Sequence, residues 1–91
     1  MSRGSQQTPR KPEYALLLEL VKEARLASHM TQKEICDRLG KPKNYLIKIE
    51  RGERRLDIVE LFELCEVIGK DTVELLSAFA IDLKQRTLFN Q

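Results

Sequence analysis

The sequence predicts an all-α fold, a single domain of five short helices, and three observations carry that prediction. Strand signals are missing: no apolar residues alternate with polar ones over a strand's length, and no Asn-Gly pair marks a hairpin. Helix-opening and helix-closing residues recur instead, with Thr31, Asp57 and Asp71 each followed three residues later by Glu, and with Gly40, Gly52 and Gly69 at the far ends. The chain is also short. Its 91 residues leave room for one core, 42% hydrophobic residues are enough to fill it, and 33% charged residues give it a solvated exterior.

The first helix is expected over Tyr14–Ala27, just after Pro12, with Leu17, Val21 and Ala24 on one face. Thr31-Gln-Lys-Glu34 forms a capping box that opens a second helix, its apolar members being Ile35, Cys36 and Leu39, and Gly40 closes it in the left-handed region. A three-residue joint, Gly40-Lys-Pro42, leads into a third helix over Lys43–Arg51, with Leu46 and Ile49 three apart. Pro42 offers the start of that helix no side-chain acceptor. Asp57-Ile-Val-Glu60 starts a fourth helix through Ile68, with Ile58, Leu61, Phe62, Cys65 and Ile68 facing in. Asp71-Thr-Val-Glu74 caps a fifth that carries Leu75, Leu76 and Phe79 and extends toward Leu83. The resulting division is a disordered basic arm over 1–12, a helical domain over 13–80 and a C-terminal extension over 81–91.

Composition excludes several classes. The longest apolar run, Ala15–Leu18, is far short of a membrane span, and the N-terminus has no apolar stretch of the signal-peptide kind. A cytoplasmic location is the expectation. Two cysteines without CxxC spacing make neither a disulfide framework nor a zinc site, so no metal and no cofactor is expected. His29, the one histidine, reads as a loop residue. Ser28-His29 lacks a placed third member for nucleophilic catalysis, and no HExxH or phosphate-cradling glycine loop occurs. No enzyme and no small-molecule substrate are expected.

The net charge of +2 conceals an asymmetry: residues 1–55 hold 13 Lys/Arg against 7 Asp/Glu, and residues 56–91 hold 3 against 7. Lys41–Arg55 alone contains six basic residues and only Glu50 and Glu53 as acids. Such a face suits a polyanion, although a solvated helix surface has the same composition.

Two short helices joined by a tight, glycine-containing turn suggest a helix-turn-helix, which presents its second helix to the DNA major groove. The run Thr31-Gln-Lys-Glu-Ile-Cys-Asp-Arg-Leu-Gly40, followed by Ile49-Glu-Arg-Gly-Glu-Arg-Arg55, resembles the phage-repressor (Cro-type, or Xre) helix-turn-helix family, and the likeness extends from about Tyr14 to Leu76. It implies a five-helix, lambda-repressor-like domain that binds double-stranded DNA. Cys36 and Cys65 stand where that family usually has alanine, Leu56 where it often has proline, and His29 where it often has glycine.

By the same resemblance, Lys43, Asn44, Tyr45 and Lys48 occupy the base-contacting positions of the third helix. Asn suits adenine and Lys suits guanine acceptors, but each can equally meet phosphate. Ile47 is apolar where the family is polar, which fits either a thymine methyl or a packing neighbour. Gln32, Lys41, Arg51, Arg54 and Arg55 are expected on phosphates, and Arg25 and Glu50 as a structural ion pair. Surplus apolar residues (Leu16, Leu18 and Leu20; Val59, Leu64 and Val67; then Phe79, Ile81, Leu83, Leu88 and Phe89) mean that the C-terminal segment either folds back over the first helix or covers a second subunit; a homodimer is favoured, with Phe79, Leu83, Leu88 and Phe89 as its contact. The expected function is a transcriptional regulator, a repressor reading a palindromic operator. An antitoxin or adaptor binding a protein partner is the alternative.

Overall fold

Pro12 starts the first helix, since its missing N–H and fixed φ suit the first helical turn. In a computed structural model of the chain, which describes the backbone of residues 11–89 and side chains through Arg86, five helices follow one another. They are α1 (Pro12–Ser28), α2 (Gln32–Leu39), α3 (Tyr45–Glu50), α4 (Ile58–Ile68) and α5 (Thr72–Phe89).

Two of the three expected capping boxes form completely. The Glu34 N–H donates to Thr31 Oγ1 at 3.0 Å while the Thr31 N–H donates to Glu34 Oε1 at 2.8 Å. Asp57 and Glu60 exchange the same pair of bonds at 2.8 and 3.0 Å. At α5 only half of the device appears: Asp71 accepts from the Val73 N–H, but Glu74 turns away to the Lys70 ammonium at 2.9 Å. Gly40, at φ 69°, ends α2 with the Lys41 N–H on the Cys36 carbonyl, and Gly52, at φ 80°, ends α3 with the Glu53 N–H on the Lys48 carbonyl. Both glycines supply a left-handed conformation that a Cβ would strain.

The core draws on every helix. Leu18 and Val21 of α1, Ile35 and Cys36 of α2, Tyr45, Leu46 and Ile49 of α3, Leu61, Leu64, Cys65 and Ile68 of α4, and Leu75 of α5 form one buried cluster. Each fully buried Leu or Ile contributes about 1.5–3 kcal/mol, so α3, too short to persist alone, is held by its three anchors.

Several expectations are corrected here. The joint before α3 is longer than three residues, because Lys43 and Asn44 remain in a turn and α3 begins at Tyr45. Helix α1 has more than one covered side. Leu16 and Leu18 are buried while Leu17 and Ala24 are only half-buried, because α1 packs against α3, α4 and α5. Leu64 is core, whereas Ile58 and Phe62 stay exposed at 61% and 52%. Helix α5 runs unbroken through the expected boundary at residue 80 and packs on α1 of its own chain. Of the expected arm over 1–12, Pro12 belongs to α1 and residues 1–10 lie outside the described residues, as do the side chains of Leu88 and Phe89. No described helix is long and apolar enough to cross a membrane.

Candidate nucleic-acid interface

The carboxylate of Glu50, at the end of α3, gathers the elements around the basic face. Arg25 of α1 donates to it twice, through Nε at 2.7 Å and Nη2 at 3.1 Å. Gln32, the first residue of α2, adds a third bond through Nε2 at 3.0 Å. The ion-paired side chains are only 12% and 8% exposed, so this is a fork-to-fork contact largely removed from water, stronger than a surface pair. It ties α1, α2 and α3 together at one point and fixes the angle at which α3 leaves the helix pair.

Around this hub α3 turns an exposed stripe outward. Asn44 and Lys48 sit one helical turn apart, the Lys48 N–H donating to the Asn44 carbonyl at 3.1 Å, and both side chains are exposed. Lys43 precedes them and Arg51 follows, both exposed, with Ile47 half-buried at the edge. Among the described residues, the acid paired with Arg51 is Glu53 at 3.9 Å, a long contact between exposed groups that holds the guanidinium weakly. Asn44 occupies the cap position of α3 without using its side chain there, so its amide is uncommitted.

Tyr45 departs from the expectation. Its side chain is 6% exposed and belongs to the core, flanked by the Lys41 ammonium 5.3 Å and the Arg54 guanidinium 4.8 Å from the ring centre. On α3 it shares the buried cluster with Leu46 and Ile49. Burial, followed by the charge of Glu60, pushes the Tyr45 hydroxyl above its ordinary pKa.

Arg54 is likewise committed elsewhere. Nη1 and Nη2 donate to the two carboxylate oxygens of Glu60 at 3.2 and 3.0 Å, and Nη1 also reaches the Arg55 carbonyl at 2.9 Å. The Arg54 hydrogen bonds hold the Glu60 carboxyl below the usual carboxylate range, helped by the Asp57 backbone N–H. Arg54 is therefore a strut between the α3–α4 loop and α4, while Arg55 remains exposed, 5.9 Å from the Tyr14 ring centre.

Two residues of this region were not singled out from the sequence. Glu60 was read only as half of a capping box, yet it also receives Arg54. Tyr14 accepts the Leu56 N–H on its hydroxyl at 2.9 Å, pinning the α3–α4 loop to the start of α1. The signal for Tyr14 was its chemistry, since a tyrosine on a packed helix needs a partner for its hydroxyl.

These elements define a helix-turn-helix protein, with α2 and α3 as the paired helices and a cationic outer face on the second. A helix-turn-helix family model matches residues 21–75. The uncharacterized HTH-type transcriptional regulator y4dJ of Sinorhizobium fredii is 38% identical over 48 residues, which cover 53% of this chain and 62% of that protein. The chain thus spans less than two thirds of that relative's length. An XRE-family like protein from Pseudomonas syringae pv. tomato has a TM-score of 0.74 and 45% identity, covering 76% of this chain and 84% of that one. The chain belongs to the Xre helix-turn-helix family of DNA-binding transcriptional regulators.

Proposed function

We propose that this protein is a cytoplasmic, sequence-specific repressor that binds a palindromic operator as a homodimer, with α3 in the major groove. The exposed stripe of Lys43, Asn44, Lys48 and Arg51, anchored through Glu50, is the observation that carries this reading. Asn44 and Lys48 face base edges, with Lys43 toward bases or phosphate. Ile47, at the edge of the stripe, is placed for a thymine methyl. Arg51, Arg55 and Lys41 grip the backbone, and Gln32 joins them through the second N–H of the amide that braces Glu50. Tyr45 and Arg54 are left out of the contact set, Tyr45 because it is buried and Arg54 because its guanidinium already holds Glu60.

Dimerisation is supported by apolar surface remaining after the core is filled. Phe79 and Leu83 of α5 are half-buried, Ile81 is 59% exposed, and Ile58, Val59 and Phe62 form an exposed apolar group on α4. A two-fold pair would set its recognition helices about 10 base pairs apart, or a multiple of that. The same α4 group also favours a second reading, an adaptor or antitoxin that binds another protein.

Selection of bound duplexes from a random pool tests the first reading. A palindromic consensus is expected, and Asn44→Ala or Lys48→Ala should relax preference at particular positions at a cost of about 1–3 kcal/mol. Full operator preference in both variants would remove α3 as the reader, and a monomer in sedimentation at micromolar concentration would count against the homodimer.

A further inference from the structure

Three helix ends in this chain that adopt the left-handed conformation use glycine: Gly40, Gly52 and Gly69. The fourth, at the end of α1, is His29 with φ 62°, the sole non-glycine residue of positive φ among the described residues. A side chain held in that conformation where glycine would serve better points to a use for the side chain. His29 is exposed and lines a groove of about 510 Å³ where α1, α2 and α3 meet.

The charges facing this groove are unequal. Lys22 and Arg25 contribute from α1, Glu50 from α3 and Arg51 from just beyond its end, while Gln32 of α2 adds a neutral amide. Glu50 is the one acid, and Arg25 and Gln32 already satisfy its carboxylate. Lys22 remains as a cation without an ion pair among the described residues, and Arg51 is held only by its long, exposed contact with Glu53 at 3.9 Å. The groove also borders Ile47, so an anion seated there lies alongside the recognition helix.

We infer that this groove seats one phosphate of the DNA backbone, with the His29 imidazole donating a hydrogen bond to it between Lys22 and Arg51. The inference rests on the DNA-binding reading and adds to it a phosphate ligand at a position where a helix end would ordinarily carry glycine. A neutral imidazole has one N–H and an imidazolium two, so the contact exists in either state.

His29→Gly separates the backbone from the side chain. Removing the left-handed strain should raise the melting temperature, whereas losing the phosphate ligand should weaken binding to operator and random duplex alike, by about tenfold, the order of one hydrogen bond to a charged group. His29→Asn, which tolerates the conformation and keeps a donor, should retain most of the affinity. As His29 is the only histidine in the chain, its imidazole resonances are directly assignable, and they should shift when duplex is added. A His29→Gly protein that is more stable and binds both duplexes with unchanged affinity overturns the inference, as does an equal resonance shift with inorganic phosphate alone. If Lys48→Ala loses operator preference in the same series, that failure belongs to His29 and leaves the DNA-binding reading standing. If wild-type protein binds no duplex, both fall.

Discussion

Removing the Glu50 carboxylate is the most demanding test of how this domain holds its recognition helix. Glu50→Ala deletes the acceptor of three hydrogen bonds, two from the Arg25 guanidinium and one from the Gln32 amide. An exposed ion pair would contribute no more than about 1 kcal/mol. Here the Arg25 side chain is only 12% exposed, so its charge would be left largely out of water without a partner. Breaking such a pair from one side costs about 3–5 kcal/mol. A domain of this size typically has about 5–10 kcal/mol in total, so the variant should lose a large part of its stability. At about 4–8 °C per kcal/mol, even the lower figure lowers the melting temperature by more than 10 °C. Thermal and urea denaturation followed by circular dichroism gives both quantities. The double variant Arg25→Met/Glu50→Leu should recover much of the loss, because it leaves no buried charge unpaired. A Glu50→Ala protein within about 1 kcal/mol of wild type would refute the argument and return the pair to the status of a surface contact.

Arg54 and Arg55 should separate cleanly despite adjoining in the chain. Arg55→Ala should weaken binding to all duplexes and reduce the salt slope by about one, whereas Arg54→Ala should leave that slope unchanged and lower stability only slightly, exposure limiting the worth of its pair with Glu60; equal salt slopes for the two variants would contradict this division. Acid should act on the same pair. The folded Glu60 carboxyl is held below its unfolded value by Arg54, so the stability it contributes is present above the unfolded pKa and is lost as pH falls through the lower, folded one. Arg54→Ala should flatten stability measured from about pH 5 downward, where glutamates in unfolded chains begin to protonate. The cysteines should be inert in the native state: Cys36 and Cys65 are fully buried and burial pushes the Cys65 thiol up, so a thiol reagent should label them only at the rate of unfolding. Rapid labelling without denaturant would show that the core opens locally.

The helices were legible because their signals are local. Thr31 with Glu34 and Asp57 with Glu60 close hydrogen bonds within one turn, and Gly40, Gly52 and Gly69 stop their helices by backbone conformation alone, so three or four neighbouring residues suffice to read each. Asp71 with Glu74 carries the same pattern, yet Glu74 pairs with Lys70, since an exposed carboxylate chooses between two partners of similar worth. The Arg25–Glu50 pair spans 25 residues and came from the family resemblance, not from spacing. The facing of α1 and α4 was misjudged at Leu16, Ile58 and Phe62 for a different reason. Periodicity shows that a helix has an apolar side, but which side is covered depends on how many helices pack on it, and α1 meets three.

The same distinction explains why the basic face could be recognised as a face but not divided into roles. Lys41, Lys48, Arg51, Arg54 and Arg55 look alike in sequence, each a cation within a short basic stretch. What distinguishes them is which partner lies within reach, and those partners come from elsewhere: Glu60 from α4 for Arg54, Tyr45 for Arg54 and Lys41, and Tyr14 from α1 for Arg55. Arg54 commits three of its five N–H donors to Glu60 and the Arg55 carbonyl, whereas Lys48 and Arg55 lie exposed on the outer surface. Arg54 also has a positioning role in the loop. By holding the α3–α4 loop against α4, with Tyr14 holding the Leu56 N–H from the other side, it fixes where Arg55 stands relative to the recognition helix. In the proposed interface, Arg55 is thus positioned by contacts from elsewhere in the fold. A substitution at Tyr14 or Glu60, neither among the cations, should blunt the grip of Arg55 on DNA while leaving base preference at Asn44 and Lys48 intact.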